Sequence, residues 1–576
     1  MQKIRLRRSL DSSPILEDFH PVLARVYAAR SIRSADEVEY NLVRLLHYQS
    51  LKNIEQAAVI LSTALMQQNR FLIIGDFDSD GATSSALAVG ALRSFGATQV
   101  DYLVPNRFEY GYGLTPEIVA LALATKKPDL IITVDNGITS HAGVEAAKKA
   151  GLQVIITDHH LPAASLPAAD VIINPQLLAD TFPSKNLAGV GVIFYVMLAV
   201  RQALRECRWF HKLTRPEPMM LQFLDLVALG TVADLVPLDY NNRLLVHQGL
   251  QWIKAGKARH GIYALLKLAK REVDRLTASD LGYSVAPRLN AAGRLADMSL
   301  GVACLLADDV NKAHEFASQL HHLNEERRTI EADMQREAFS ILAQLAADKL
   351  LTKGVCLFDT HWHQGVIGLL AARITERFHR PSIICALSHQ GDEIKGSARS
   401  IQGVHIRDVL AIMATREPTL MVSFGGHAMA AGFTLRRDAF TDFSKLFQQV
   451  LDEQMDDDLL QGKYYTDGEL QPVDFCLHLA ELLRYQAGPW GQGFPEPLFE
   501  GHFNLLAQRL VGNRHLKMTL GLAGSSLQVD AIAFHVNLEH WPNHRVEQIT
   551  ITYRLDANRY QGRKKLQLVV ETLEAA

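Results

Sequence analysis

Cysteine is scarce and scattered. The five in this 576-residue chain, Cys207, Cys304, Cys356, Cys385 and Cys476, form no C-x-x-C pair. That excludes a disulfide framework and a thiolate zinc or iron–sulfur site, and it predicts a reducing, cytoplasmic home. Long apolar runs are missing too. The longest, Val192 to Val200, is too short to span a bilayer, and the basic start MQKIRLRRSL lacks the apolar stretch of a signal peptide, so no membrane association is expected. Neither charge sign dominates: 59 Lys and Arg face 62 Asp and Glu for a net charge of −3, so any site for a polyanion must be local. Gly111-x-Gly113 and Gly189-x-Gly191 lack the later glycine of a dinucleotide loop, and no Walker A sequence occurs. What remains, 48% apolar and 21% charged, is the composition of a folded chain long enough for several domains.

From Arg70 to Pro175 one unit recurs: a short β-branched run, a polar or acidic turn, then an Ala-rich helical pattern. Phe71-Leu-Ile-Ile, Leu130-Ile-Ile-Thr-Val and Val154-Ile-Ile-Thr read as parallel strands buried on both faces, with helices such as Ala82 to Ser94 and Ser140 to Ala150 between them. The expected fold is α/β with a doubly wound, mainly parallel sheet, whose ligands sit at the carboxyl ends of the strands. Val302 to Lys353 holds no Gly or Pro and keeps helical apolar spacing, which predicts a long connecting helix; two helices joined near Asn324 are the alternative. A second α/β domain is expected from Gly354 to Val450. After the acidic stretch at Asp452–Asp458, short strands at His515–Leu520, Ser526–Phe534, Gln548–Leu555 and Lys565–Glu571 suggest a C-terminal OB-like β-barrel. The divisions are an N-terminal segment 1–50, a catalytic domain 51–305, a connecting helix 306–352, a second α/β domain 353–455 and a barrel 456–576.

Chemistry concentrates at the strand ends. Gly75-Asp-Phe-Asp-Ser-Asp-Gly81 sets Asp76, Asp78 and Asp80 at alternate positions, where a divalent cation would offset their repulsion; a solvated acidic turn is the alternative for this stretch alone. An EF-hand is excluded, because a strand precedes the loop and its twelfth position is Leu87 instead of Glu. Thr133-Val-Asp-Asn-Gly137 and Thr157-Asp-His-His160 bring Asp135, Asp158, His159 and His160 to equivalent strand ends. Asp234 lies in the apolar Ala228-Leu-Gly-Thr-Val-Ala-Asp-Leu-Val-Pro237, where a capping or turn role is the simpler local reading. Several carboxylates and two imidazoles suit a pair of ions such as Mn²⁺ or Mg²⁺, and paired ions of this kind serve phosphate-ester hydrolysis.

GDFDSDGATS, TVDNGITS, TDHH and ALGTVADLVPL, in that order, resemble the motifs of the DHH phosphoesterase superfamily. The resemblance extends to PNRFEYGYGL, PRLNAAGRL, KGSARS and GGHAMAAG, and is greatest to the superfamily's single-strand-specific exonucleases. It implies that Asp78 holds one ion, that Asp80, His159 and Asp234 hold the other, and that Asp135 bridges them. His160 then faces the scissile phosphate, Asp158 supports the histidines, and Asp76 either binds metal or orients the attacking water.

The resemblance further implies a substrate-binding DHHA1 domain. There, Lys395-Gly-Ser-Ala-Arg-Ser400 and Gly425-Gly-His427 read as loops with exposed backbone N–H groups, and Ser397, Arg399 and His427 are candidate phosphate contacts. Arg107, Arg288 and Arg294 are added to them as guanidinium groups that could read a 5′-phosphate. Residues 501–576 carry nine Lys and Arg against six Asp and Glu. Arg514, Lys517 and Lys564 are candidate DNA contacts of a barrel clamping single-stranded DNA, with a channel between the α/β domains excluding duplex. The implied activity is 5′ to 3′ degradation of single-stranded DNA to 5′-mononucleotides in recombination and repair, with a helicase and a single-strand-binding protein as partners that expose the strand. Two alternatives are an oligoribonuclease or cyclic-dinucleotide phosphodiesterase, which the extra C-terminal domain disfavours, and a non-catalytic replication subunit, which the intact acidic set disfavours.

Overall fold

The computed structural model describes residues 4–8, 18–347, 352–388, 391–512, 514–522, 524–560 and 562–576. Within them the chain divides into two compact units, the larger spanning Arg7–Gly293, Asp297–His321 and Tyr465–Ala576, the smaller Met1–Leu6, Arg294–Ala296 and His322–Tyr464.

The larger unit begins with an all-parallel sheet in the spatial order Val100–Leu103, Phe71–Gly75, Leu130–Val134, Gln153–Thr157, Val171–Ile173. The β-branched runs form these strands because each is covered on both faces. Leu72, Ile74, Ile131, Val154 and Ile156 meet Ile118, Val119, Val144 and Ala147 of the helices Pro116–Thr125 and His141–Lys149. The alternate residues turn to the other face, where the helices Ile54–Met66 and Gly189–Glu206 pack. Each of these buried aliphatic side chains contributes roughly 1.5–3 kcal/mol. Second strand to one side of the first, third to the other: this order has its switch point between Phe71–Gly75 and Leu130–Val134, where a crevice opens at the strand ends.

The C-terminal part of the same unit is a closed five-stranded barrel, Phe499–Val511, His515–Leu522, Gln528–Ala533, Arg563–Ala575 and Gln548–Tyr560 in order, the OB-like barrel expected. Its first strand escaped the sequence reading because a bulge between Leu505 and Ala507 breaks the inward–outward alternation. Arg275 joins the barrel to the helical part of the unit through the Tyr485 hydroxyl and the Ala557 carbonyl. The helix Pro21–Ala28 also docks beside the barrel: Tyr27 Oη donates to the Ala487 carbonyl at 2.8 Å, and Arg30 meets the buried Asp467 at 2.9 Å.

The long helix runs Val310–Ala347 as one element. It starts later than expected: Ser299–Leu306 forms a separate helix, and Asp309 Oδ1 accepts from Asn311 N and Lys312 N to begin the next. Asn324 lies buried inside the helix, not at a turn, and residues 348–351 of the expected span fall outside the described residues. The smaller unit holds a mixed sheet, Met421–Gly426, Ala430–Arg436, Glu393–Arg399, Ser382–Leu387, Val355–Phe358. Phe433, Phe443 and Phe447 fill its core.

Candidate metal centre

The sheet of the larger unit delivers its acids at the switch point. Asp76 directly follows Phe71–Gly75. Asp78 caps the helix Ser79–Ser94, its Oδ1 accepting from Asp80 N at 2.9 Å and Gly81 N at 3.1 Å, so the helix starts three residues before the expected Ala82. Asp80 therefore stands in the first helical turn. Its two oxygens accept from Gly189 N at 2.6 Å and Val190 N at 3.0 Å, the first residues of the Gly189–Glu206 helix, whose positive end favours a carboxylate. Asp135 follows Leu130–Val134 in a left-handed conformation, φ 63°. A Cβ on Gly189 would lie 2.6 Å from that of Asp135, so only glycine admits the helix here.

Asp158 ends the neighbouring strand and organises the two histidines. Its Oδ1 accepts from His159 N at 2.7 Å and lies 2.7 Å from His160 Nδ1, while Oδ2 accepts from Ile138 N at 2.9 Å. Asp234 closes the helix Leu224–Ala233, and Leu235 follows at φ 59°. The cap reading of Asp234 therefore holds for its backbone, while its side chain joins the acidic group.

Three overlapping sets of donors lie within 4.8 Å: Asp76, Asp78 and Asp135; Asp80, His159 and Asp234; and Asp135, His159 and His160. His159 Nε2 is 3.0 Å from Asp135 Oδ1 and 3.5 Å from Asp234 Oδ2. Asp135 Oδ1 is buried and makes no hydrogen bond. Burial and mutual repulsion raise the pKa of Asp76, Asp135 and Asp234 well above the carboxylate range, and push Asp80 up to about 7. Burial also opposes ionisation of Asp158, but its bond to His160 and the imidazole charges outweigh it and hold Asp158 at about 2. The same pair raises His160 to about 9 against the burial that lowers it. Carboxylates so crowded fit one or two hard divalent ions, which relieve the repulsion.

The other predicted residues divide between the units. Arg107 lies over the Phe77 ring at 4.3 Å; burial lowers its pKa, and the charges of Asp76 and Asp78 counter that. Arg288 bonds His321 Nδ1 at 3.3 Å and the Ser284 carbonyl. In the smaller unit Arg294 donates to the Gly365 carbonyl at 3.1 Å, and Arg399 Nη1 donates to Ser397 Oγ at 3.2 Å. His427 is exposed; its N–H bonds the carbonyl of Ala430, which pairs with Arg399 across the strands. The exposed-loop reading of Lys395–Ser400 is overturned: Glu393–Arg399 is a strand laddered on both sides, so its backbone is consumed and only its side chains project. A Cβ on Gly368, in the Ile367–Phe378 helix, would come 2.9 Å from Ser397 Oγ, a close-built corner around that pair. On the barrel Arg514 is exposed, whereas Lys517 faces Asp530 at 3.6 Å and Lys564 pairs with Glu481 at 2.6 Å.

Sequence reasoning passed over Gly189, tested only as a dinucleotide glycine, and Asn290, whose Oδ1 accepts from Ser79 N at 2.7 Å. It also passed over Phe77 and Tyr112, which stack edge to face at 6.0 Å beside the acids. The repeated aromatic-glycine pairs of Glu109-Tyr-Gly-Tyr-Gly113 were the available signal.

A parallel α/β domain that gathers Asp and His at its switch point, followed by a second α/β domain, defines a DHH-type phosphoesterase. Residues 70–231 match the DHH family, N-terminal domain; residues 347–453 the DHHA1 domain; and residues 466–572 the RecJ OB domain. The chain is 50% identical to the single-stranded-DNA-specific exonuclease RecJ of Escherichia coli (strain K12) over 99% of each protein, and 52% identical to that of Dickeya dadantii over 99% of each. A crystal structure of RecJ in complex with Mn²⁺ from Thermus thermophilus superimposes with a TM-score of 0.80 at 29% identity, covering 99% of this chain and 80% of that one. The chain belongs to the RecJ family of single-stranded-DNA-specific exonucleases. A second structure of the Thermus protein is described in complex with Mg²⁺.

Proposed function

We propose that this chain is a metal-dependent exonuclease that degrades single-stranded DNA from the 5′ end and releases 5′-mononucleotides. The observation that carries the reading is the convergence of Asp76, Asp78, Asp80, Asp135, His159 and Asp234 at one switch point. Asp78 and Asp76 with Asp135 would hold one ion and Asp80, His159 and Asp234 the other, with Asp135 shared; Mn²⁺ and Mg²⁺ fit these donors. Ions bound there supply an activated water and charge neutralisation at the phosphate.

The chain's own residues do the remaining work. Gly189 and Val190 fix Asp80 through both oxygens. Asp158 fixes His160, and the resulting imidazolium donates to a phosphate oxygen on which negative charge grows. Asp76 Oδ1 accepts from Phe77 N at 2.7 Å, which orients its carboxylate towards Asp78 and Asp135 as a donor to the same ion. Arg294, Ser397, Arg399 and His427 of the smaller unit supply contacts to the terminal 5′-phosphate, which sets the direction of digestion; in the larger unit Arg107 and Arg288 each offer a guanidinium to a phosphate of the strand. Arg514, Lys517 and Lys564 contribute backbone contacts along the strand, and the ion pairs of the last two must open for them to do so. On this reading the divisions at 51–305, 353–455 and 456–576 correspond to catalysis, end recognition and strand binding. No helix among the described residues is long and apolar enough to cross a membrane. We place the protein in the cytoplasm, in recombination and repair, beside a helicase and a single-strand-binding protein.

Digestion of a long single strand labelled at either end, with Mn²⁺ or Mg²⁺ and a matching blunt duplex, tests the reading. Early release of a labelled mononucleotide from the 5′ end, with the duplex spared and activity lost in Asp135→Ala, is the expected result. Release from the 3′ end, or unchanged turnover in Asp135→Ala, would overturn it.

A further inference from the structure

Tyr112 occupies an unusual place beside the acids. It leaves 44% of its surface exposed, yet its hydroxyl turns inward, 3.4 Å from the Asp135 carbonyl and 3.4 Å from His160 Nδ1. The ring meets Phe77 edge to face at 6.0 Å and His160 at 6.1 Å. These contacts fix the phenol's orientation from two sides.

The hydrogen bonds have only one consistent direction. Asp158 Oδ1, at 2.7 Å, takes the Nδ1 proton of His160, so Nδ1 has no lone pair for a donor. The Tyr112 proton therefore goes to the Asp135 carbonyl, and its oxygen faces the Nδ1–H as a second, longer acceptor. A phenol carries its proton at neutral pH, so the hydroxyl has one to donate. Asp135 is the residue held at φ 63°, a conformation that surrounding contacts must maintain.

We infer that Tyr112 is a positioning residue: it ties the backbone of Asp135 to the imidazole of His160, so that the shared carboxylate and the group facing the phosphate keep one mutual geometry. This rests on the proposed role of His160, and it extends that role by naming what holds the imidazole besides Asp158. Tyr112→Phe is the clean variant, since it keeps both ring contacts and removes only the tether.

The test is a double-mutant cycle on exonuclease turnover. Tyr112→Phe should lower kcat about tenfold, the equivalent of one hydrogen bond, while KM for a long strand and the Mn²⁺ affinity stay within about twofold. In a His160→Ala background the same substitution should cost less than about twofold, because the partner it acts through is gone. An equal loss in both backgrounds, or none in the native one, would overturn the inference. A second readout does not depend on nuclease activity: in histidine-labelled protein, Tyr112→Phe should move the His160 ring resonance and leave that of His247 in place. A shifted resonance in a protein without exonuclease turnover would sink the proposed function and keep the tether, whereas an unmoved resonance would sink the tether alone.

Discussion

Gly189 shows how much of the site depends on a missing side chain. A methyl there would press on Asp135 Cβ and displace the N–H that holds Asp80. Gly189→Ala should cost about 1–3 kcal/mol of stability by overpacking, read as a lower thermal midpoint, and turnover on the order of a hundredfold, with weaker Mn²⁺ binding by titration. His247 gives a separate, acid-side prediction. Burial beside Tyr40, then the Lys254 charge, holds it down at about 4, whereas the unfolded chain takes up this proton near 6.5. Its contribution is present above pH 6.5 and is lost as pH falls towards 4, on the order of 2 kcal/mol, and His247→Gln should flatten that limb of the denaturation profile. The acids were legible in the sequence because three β-branched runs end in carboxylates or imidazoles, which together outweigh the solvated acidic turn that the Asp76–Asp80 triplet alone leaves open. Gly189 and Tyr112 were not, because their partners lie 109 and 48 positions away along the chain.

At the scale of the element, the Val310–Ala347 helix was legible from its spacing and its lack of Gly and Pro, but its start was not. The preceding helix stops at Ala307 and Asp309 caps the next, without any breaker residue. Ala332 is an exposed interior position of the long helix. Ala332→Gly should cost about 1 kcal/mol and Ala332→Pro about 3 kcal/mol or more, followed by helical circular dichroism on heating. In sequence Lys395–Ser400 suggests a loop because Gly396 and small residues suit turns, but the strand Glu393–Arg399 runs through it. Its glycine instead faces Phe433 across the ladder, where no side chain fits. The three central strands of the catalytic sheet were legible from their buried runs, whereas its edge strands Val100–Leu103 and Val171–Ile173 are too short to stand out, and the barrel's first strand needed knowledge of a bulge that sequence does not display.

Over the whole molecule a net charge of −3 conceals a local concentration of acid, which makes stability depend on bound metal. Without ions, carboxylates whose pKa is raised by folding stabilise least where they ionise, so stability is lost as pH rises from about 4 through the Asp80 value of about 7. Thermal midpoints of chelator-treated protein should therefore fall between pH 5 and 8. Mn²⁺ at a hundred times its Kd should restore about 2.7 kcal/mol, and one fixed Mn²⁺ concentration should restore more at the alkaline end, where the ionised carboxylates bind it more tightly. The docking of Pro21–Ala28 carries a different consequence, one of timing during synthesis. Arg30 and its buried partner Asp467 stand 437 positions apart. At about 5–20 residues per second, the ribosome needs roughly 20–90 s to supply that partner after the helix has emerged. Throughout that interval Tyr27 and its neighbours are exposed on the nascent chain, and the helix finds its seat only when the last fifth of the protein leaves the exit tunnel.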